Sequence, residues 1–171
     1  MKDGRTTVPS IAMEGLETRN LFAASLPSGF TETRVVTGLP EVTSMEFSPD
    51  GRIFITELAG KVSIIKNGAK LSTPFMSIPV DRYNNRGLIG LTFDPNFATN
   101  RYIYIFYSKV DPNNPDVANN GSVNRLSRFR ASNTNKDVVE AGSEVVLLDN
   151  IPNGLGGHNG GALKFGKDGM L

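Results

Sequence analysis

One short template, written three times, limits what this chain can fold into. The copies are Met45-Glu46-Phe47-Ser48-Pro49-Asp50-Gly51, Leu91-Thr92-Phe93-Asp94-Pro95-Asn96 and Leu163-Lys164-Phe165-Gly166-Lys167-Asp168-Gly169. Each puts an alternating apolar run ahead of a tight turn. Proline presets φ and glycine supplies a positive φ, so the first copy predicts a β-hairpin. Phe47 and Phe93 stand 46 residues apart, and Phe93 and Phe165 stand 72 apart.

The segments between the copies read as strands. Thr31 to Thr37 is β-branched, Thr43–Phe47 and Arg52–Glu57 flank the first turn, and Lys61–Ile65 ends at Asn67-Gly68, a preferred tight turn. Pro74 and Pro79 limit any strand over residues 73–80 to an edge. Gly87–Phe93 leads to Arg101–Tyr107, an almost unbroken aromatic and β-branched run that predicts a strand covered on both faces. Asp111 to Gly121 is a polar loop, Asn124–Arg130 and Glu144–Leu148 are further strands, and Ala162–Phe165 opens another. No stretch keeps a helical period. A four-stranded propeller blade takes about 40–50 residues, so the first interval suits one blade and the second a blade with an inserted loop. The expected fold class is therefore an all-β propeller: about two blades plus the first strand of a third. A β-sandwich has similar strand spacing but needs no internal repeat. Closed propellers need about 4–8 blades, so the chain reads as the N-terminal part of a longer one.

Composition narrows the partners. Net charge is +1 and no Lys/Arg cluster stands out, which gives no footprint for nucleic acid. There is no cysteine and only one histidine, so a zinc site is not expected, while an oxygen-ligand ion such as calcium stays possible. No apolar run approaches the ~18 residues of a membrane span. Residues 1–28 are expected to be a leader or disordered tail, and residues 29–171 an incomplete propeller domain. Within the tail, Leu16-Glu17-Thr18-Arg19-Asn20-Leu21-Phe22-Ala23-Ala24 resembles a leader found ahead of bacterial surface and secreted proteins, which implies an extracytoplasmic location.

The histidine, His158, lies between two glycine pairs, Gly156-Gly157 and Gly160-Gly161, just before the third copy. Glycine lets a backbone bend sharply and lets a ligand come close. An imidazole near neutral pKa on such a loop is either a surface residue in a turn or a proton acceptor.

Several ordered motifs together carry a family resemblance. Asn85-Arg86-Gly87-Leu88-Ile89-Gly90-Leu91-Thr92-Phe93-Asp94-Pro95-Asn96-Phe97, followed by Tyr102-Ile103-Tyr104, resembles a signature of the glucose/sorbosone dehydrogenase family. Thr56-Glu57-Leu58-Ala59-Gly60-Lys61-Val62, Asn124-Arg125-Leu126-Ser127-Arg128-Phe129 and Gly157-His158-Asn159-Gly160-Gly161 match the same family. The resemblance implies a six-bladed propeller and a soluble aldose dehydrogenase dependent on pyrroloquinoline quinone and calcium. It implies that His158 is the general base, taking the proton of the sugar's anomeric hydroxyl while hydride passes to the quinone. It places Asn85, Arg86 and Asn159 at the sugar, with an electron acceptor as the second partner. The cofactor and calcium ligands belong to later blades, so no cofactor or metal ligand is assigned in this chain. One position departs from the pattern: type members carry an acidic residue just before the base, and here that place is Gly157. A base without that partner samples both tautomers. The alternative readings are a non-catalytic extracellular propeller that binds or adheres, and a non-functional fragment.

Overall fold

The computed structural model describes residues 26–110, 122–153 and 158–171. The chain divides into two compact units, residues 1–33 and 34–171. In the first, the Phe30 amide closes a turn on the Pro27 carbonyl at 3.1 Å. The expected tail falls mostly on residues outside the described set. Thr31 to Thr37 is not a strand, contrary to expectation. Its β-branched residues favour extended backbone, but no described strand pairs with it, and extension without a ladder is not a strand.

The second unit is all β. Strands β1 (Val42–Phe47), β2 (Ile53–Glu57) and β3 (Lys61–Lys66) form an antiparallel meander. Two short pieces, β4 (Ala69–Lys70) and β5 (Met76–Ser77), both pair with β3 and divide its outer edge. The prolines around β5 leave room for two ladder residues only, as their missing N–H groups require. A second antiparallel meander contains β6 (Leu88–Phe93), β7 (Tyr102–Lys109), β8 (Val123–Arg130) and β9 (Val145–Pro152). Neither sheet borrows a strand from the other, so each is a unit of consecutive hairpins. A sandwich would exchange strands between its sheets through Greek-key connections.

The repeat survives at the level of hydrogen bonds. In the first copy the Ser48 amide reaches the Arg52 carbonyl and the Gly51 amide the Ser48 carbonyl, both at 2.9 Å. In the third copy Gly166 N–H reaches Met170 O at 2.7 Å and Gly169 N–H reaches Gly166 O at 3.0 Å. The second copy keeps the same two bonds, Asp94 N–H to Tyr102 O and Phe97 N–H to Asp94 O, around one inserted helical turn, α1 (Phe97–Asn100). Arg101 ends that turn in the left-handed region with φ 60°. The strands before the turns repeat a defect as well. Register slips between Val42 and Ser44 in β1 and between Leu88 and Gly90 in β6, the same positions before Phe47 and Phe93. The third copy departs from expectation: residues 162–165 make no ladder, although their burial alternates as in a strand. The predicted polar loop, Asp111 to Gly121, lies outside the described residues.

The two meanders pack against each other through one core. Phe54, Val62, Ile64 and Phe75 of the first meet Leu88, Leu91, Phe93, Ile103 and Ile105 of the second. Phe54 is the hinge of an aromatic chain, edge-on to Phe75 at 5.2 Å and to Phe93 at 4.9 Å; Phe93 in turn meets Phe97 at 4.8 Å. Such edge-to-face pairs add about 0.5–1.5 kcal/mol beyond their buried area. Strand β7 has no exposed residue, as its aromatic run predicts. Polar ties also cross between the sheets. Thr43 Oγ1 donates to the Leu88 carbonyl at 2.6 Å, which sets β1 beside β6. At the turn end, Arg52 reaches the Lys136 carbonyl at 2.7 Å and the Asp137 carboxylate at 2.9 Å.

Candidate functional site

The template fixes where the candidate residues sit. His158 comes seven residues before Phe165, and Arg86 comes seven before Phe93. Both therefore stand just ahead of a copy of the template, at the end opposite its turn.

Contacts show that the third copy runs beside β6 in the same direction. The Gly161 carbonyl lies against Gly90, near the start of β6. Further on, Phe165 meets Tyr104 edge-on at 5.2 Å, and Tyr104 pairs across the ladder with Thr92, near the end of β6. Lys164 also reaches Glu46 of β1 at 2.7 Å, and both stand one place before their template phenylalanine. Traced back from Gly161, His158 falls at the end where Asn85, Arg86 and Gly87 lead into β6.

His158 is exposed, with φ 70°. A side chain in the left-handed region costs about 1–2 kcal/mol. Gly160 and Gly161 continue the left-handed path with φ 70° and 114°. Among the described residues no side chain hydrogen-bonds the imidazole. Asn159 is half-buried beside it. Gly157, the departure from the family pattern, lies outside the described residues.

The Asn85 side is built differently. Asn85 itself is exposed, while Arg86 is 1% exposed and pairs with Asp81 at 2.8 Å. Its guanidinium also stacks over the Tyr83 ring at 5.6 Å. Burial pushes the Asp81 carboxyl up, but the Tyr83 amide, Arg86 and Ser122 outweigh it and hold the carboxyl below its ordinary range. The charged pair closes the loop on itself, the Arg86 backbone N–H caps the Tyr83 carbonyl at 3.2 Å, and the Asp81 backbone N–H joins the loop to β7 at Ser108 O, 3.0 Å away. Gly87 completes the anchor with φ 142°, because a Cβ there would stand 2.3 Å from the Leu58 carbonyl. The structure brings Arg86 to the site's frame and Asn85 to its surface. Asn153 Nδ2 donates to Ser122 Oγ at 2.9 Å and ties the chain ahead of His158 to the same frame.

Asp81, Ser122 and Asn153 carry no signal in the sequence, since their partners are distant and their residue types common in loops. The described residues contain no group of three acidic or histidine side chains placed to hold a metal. The guanidinium groups of Arg52, Arg86, Arg125 and Arg130 face carboxylates. Among the described residues no helix is long and apolar enough to cross a membrane.

Comparison with known proteins agrees with this architecture. The glucose/sorbosone dehydrogenase family model matches residues 39–171. The chain belongs to that family. A quinoprotein glucose dehydrogenase B of Acinetobacter calcoaceticus is 27% identical over 157 residues, 88% of this chain and 31% of that protein. Mouse Hedgehog-interacting protein is 29% identical over 146 residues, 80% of this chain and 21% of that protein. Among solved structures, an oxidoreductase of Thermus thermophilus described as a glucose dehydrogenase superposes with TM-score 0.65 and 28% identity, covering 80% of this chain and 38% of its own. The PQQ-bound aldose sugar dehydrogenase of Streptomyces coelicolor superposes with TM-score 0.64 and 23% identity, covering 79% and 37%, a likeness of fold. The chain thus spans at most about a third of the curated relatives it matches. Its two meanders align with part of these propeller-fold dehydrogenases.

Proposed function

We propose that this chain supplies the opening blades of a six-bladed sugar dehydrogenase, in which His158 takes the proton from the anomeric hydroxyl of an aldose. The observation that carries the reading is the position of His158. It is the only histidine, exposed, held in the left-handed region, and placed just ahead of the third copy of the template. An imidazole there has the ring nitrogen that proton abstraction needs. Asn85 and Asn159 lie at the same end and would orient sugar hydroxyls, with Arg86 bracing Asn85 from below. The described residues provide the proton acceptor and its frame; the hydride acceptor belongs to other blades. The leader-like segment Leu16–Ala24 supports work outside the cytoplasm.

A second reading rests on the match to Hedgehog-interacting protein and on Gly157 in place of an acidic neighbour. In it the same propeller binds a ligand and oxidises nothing. One assay separates the two. The full-length protein, supplied with pyrroloquinoline quinone and calcium, is offered a panel of aldoses with a dye acceptor. Saturable dye reduction supports the dehydrogenase. No oxidation of any aldose, with saturable binding of a glycan or protein, gives the function to the second reading.

A further inference from the structure

We infer that Gly90 is a positioning residue for His158: its bare backbone is the seat on which the histidine loop rests. The inference builds on His158 as the proton acceptor and names what holds it in place. Gly90 lies in β6 and its φ is outside the left-handed region, so its conformation does not call for glycine. Space does. A Cβ built on Gly90 would stand 1.8 Å from the Gly161 carbonyl oxygen and 2.9 Å from its carbon. Real Cβ atoms do not approach backbone so closely, and a backbone atom cannot swing aside as a side chain can.

The fit is reciprocal. A Cβ on Gly161 would meet Ile89 Cγ2 at 2.7 Å and Phe106 Cδ1 at 3.2 Å. Gly161 also has φ 114°, a conformation closed to other residues. Two bare backbones therefore nest, one from β6 and one from the strand entrance, three residues from His158. Asn153 ties the chain on the other side of the histidine to Ser122. Gly90 meets the chain three residues after the imidazole. The bulge between Leu88 and Gly90 tilts β6 just where the carbonyl lands.

A methyl group at Gly90 must push Gly161 outward by more than an ångström and carry His158 with it. Misplacing a catalytic group by about 1 Å lowers rate by up to ~10²-fold, so kcat should fall at least ~10-fold in Gly90→Ala while KM changes less. The control is Gly51→Ala, in the β1–β2 turn of the other sheet. Gly51 has φ 85° but nothing within 4 Å, so it loses stability by strain without touching the seat. The readout that does not need activity is carbethoxylation of His158 by diethylpyrocarbonate, followed in the His158 peptide by mass spectrometry on full-length protein. Gly90→Ala should change that rate severalfold, and Gly51→Ala should leave it as in the parent. An unchanged rate and unchanged kcat in folded Gly90→Ala overturn the seat. If His158→Gln retains activity while Gly90→Ala still alters the modification rate, the seat stands and the base assignment falls.

Discussion

Arg52 shows how much one side chain can hold. Its side chain is 6% exposed, and its donors reach both Asp50 oxygens, the Lys136 carbonyl and Asp137. It also lies over the Phe54 ring at 5.0 Å. The hydrogen bonds from Arg52 hold the Asp50 carboxyl down at about 2, against a partial upward push from burial. A carboxyl depressed in the folded state stabilises above its unfolded pKa, and that stability is lost as pH falls through the folded value. The acid-side loss should therefore fall between about pH 4 and pH 2. Arg52→Met should flatten that part of the stability–pH curve and lower stability at neutral pH by about 1–3 kcal/mol, a moderate figure because both carboxylates keep some water. An unchanged acid limb would mean that Asp50 gains nothing from Arg52. The Arg52–Asp137 contact spans 85 residues, which is why no local pattern in the sequence announces it. The Asp81–Arg86 pair and the Gly90–Gly161 contact were hidden for a related reason. Burial and close approach depend on what the fold brings up from elsewhere.

At the scale of elements, the hairpins were legible because each rule is local. Asn67 and Gly68 take φ 54° and 75°, the pair of left-handed residues that a two-residue hairpin needs, and Lys66 pairs with Ala69 across it. The repeat of Phe47, Phe93 and Phe165 was legible for the same reason, and its first two copies each fall in one of the two sheets. What failed were runs whose state depends on a partner. Thr31 to Thr37 has strand-forming residues and no described strand beside it. Residues 162–165 lie along β6 through side chains and one carbonyl without a ladder. The helical turn α1 was unreadable because four residues carry no period. The interlocked aromatics give this scale its own prediction. Phe54 is fully buried between Phe75 and Phe93, so it joins the two meanders as well as filling one. Phe54→Ala should cost about 3–5 kcal/mol by denaturant unfolding of the full-length protein. A loss below about 1 kcal/mol would show that the meanders do not share a core.

For the molecule as a whole, much of the exposed apolar surface lies on the two outer strands, β1 and β9. On β1, Val42, Met45 and Phe47 are 46%, 54% and 63% exposed. On β9, Val145, Val146, Leu147 and Leu148 are all more than 40% exposed. Apolar patches and bare strand edges of this kind template association. Residues 1–171 expressed alone should therefore be oligomeric or poorly soluble, and light scattering that shows a monomer with a sharp melt would contradict this. The central claim is that His158 is the proton acceptor of a sugar dehydrogenase, and it is tested most directly by aldose turnover of the full-length protein beside its His158→Gln variant. Glutamine keeps a polar group of similar size and removes the base. The side chain is exposed, so the melting temperature should hardly move, with a stability change within about 1 kcal/mol. Turnover should fall at least ~10²-fold, the usual contribution of a positioned general base. Activity within a few-fold of the parent, or a loss of turnover that only follows a loss of folded protein, would contradict the claim.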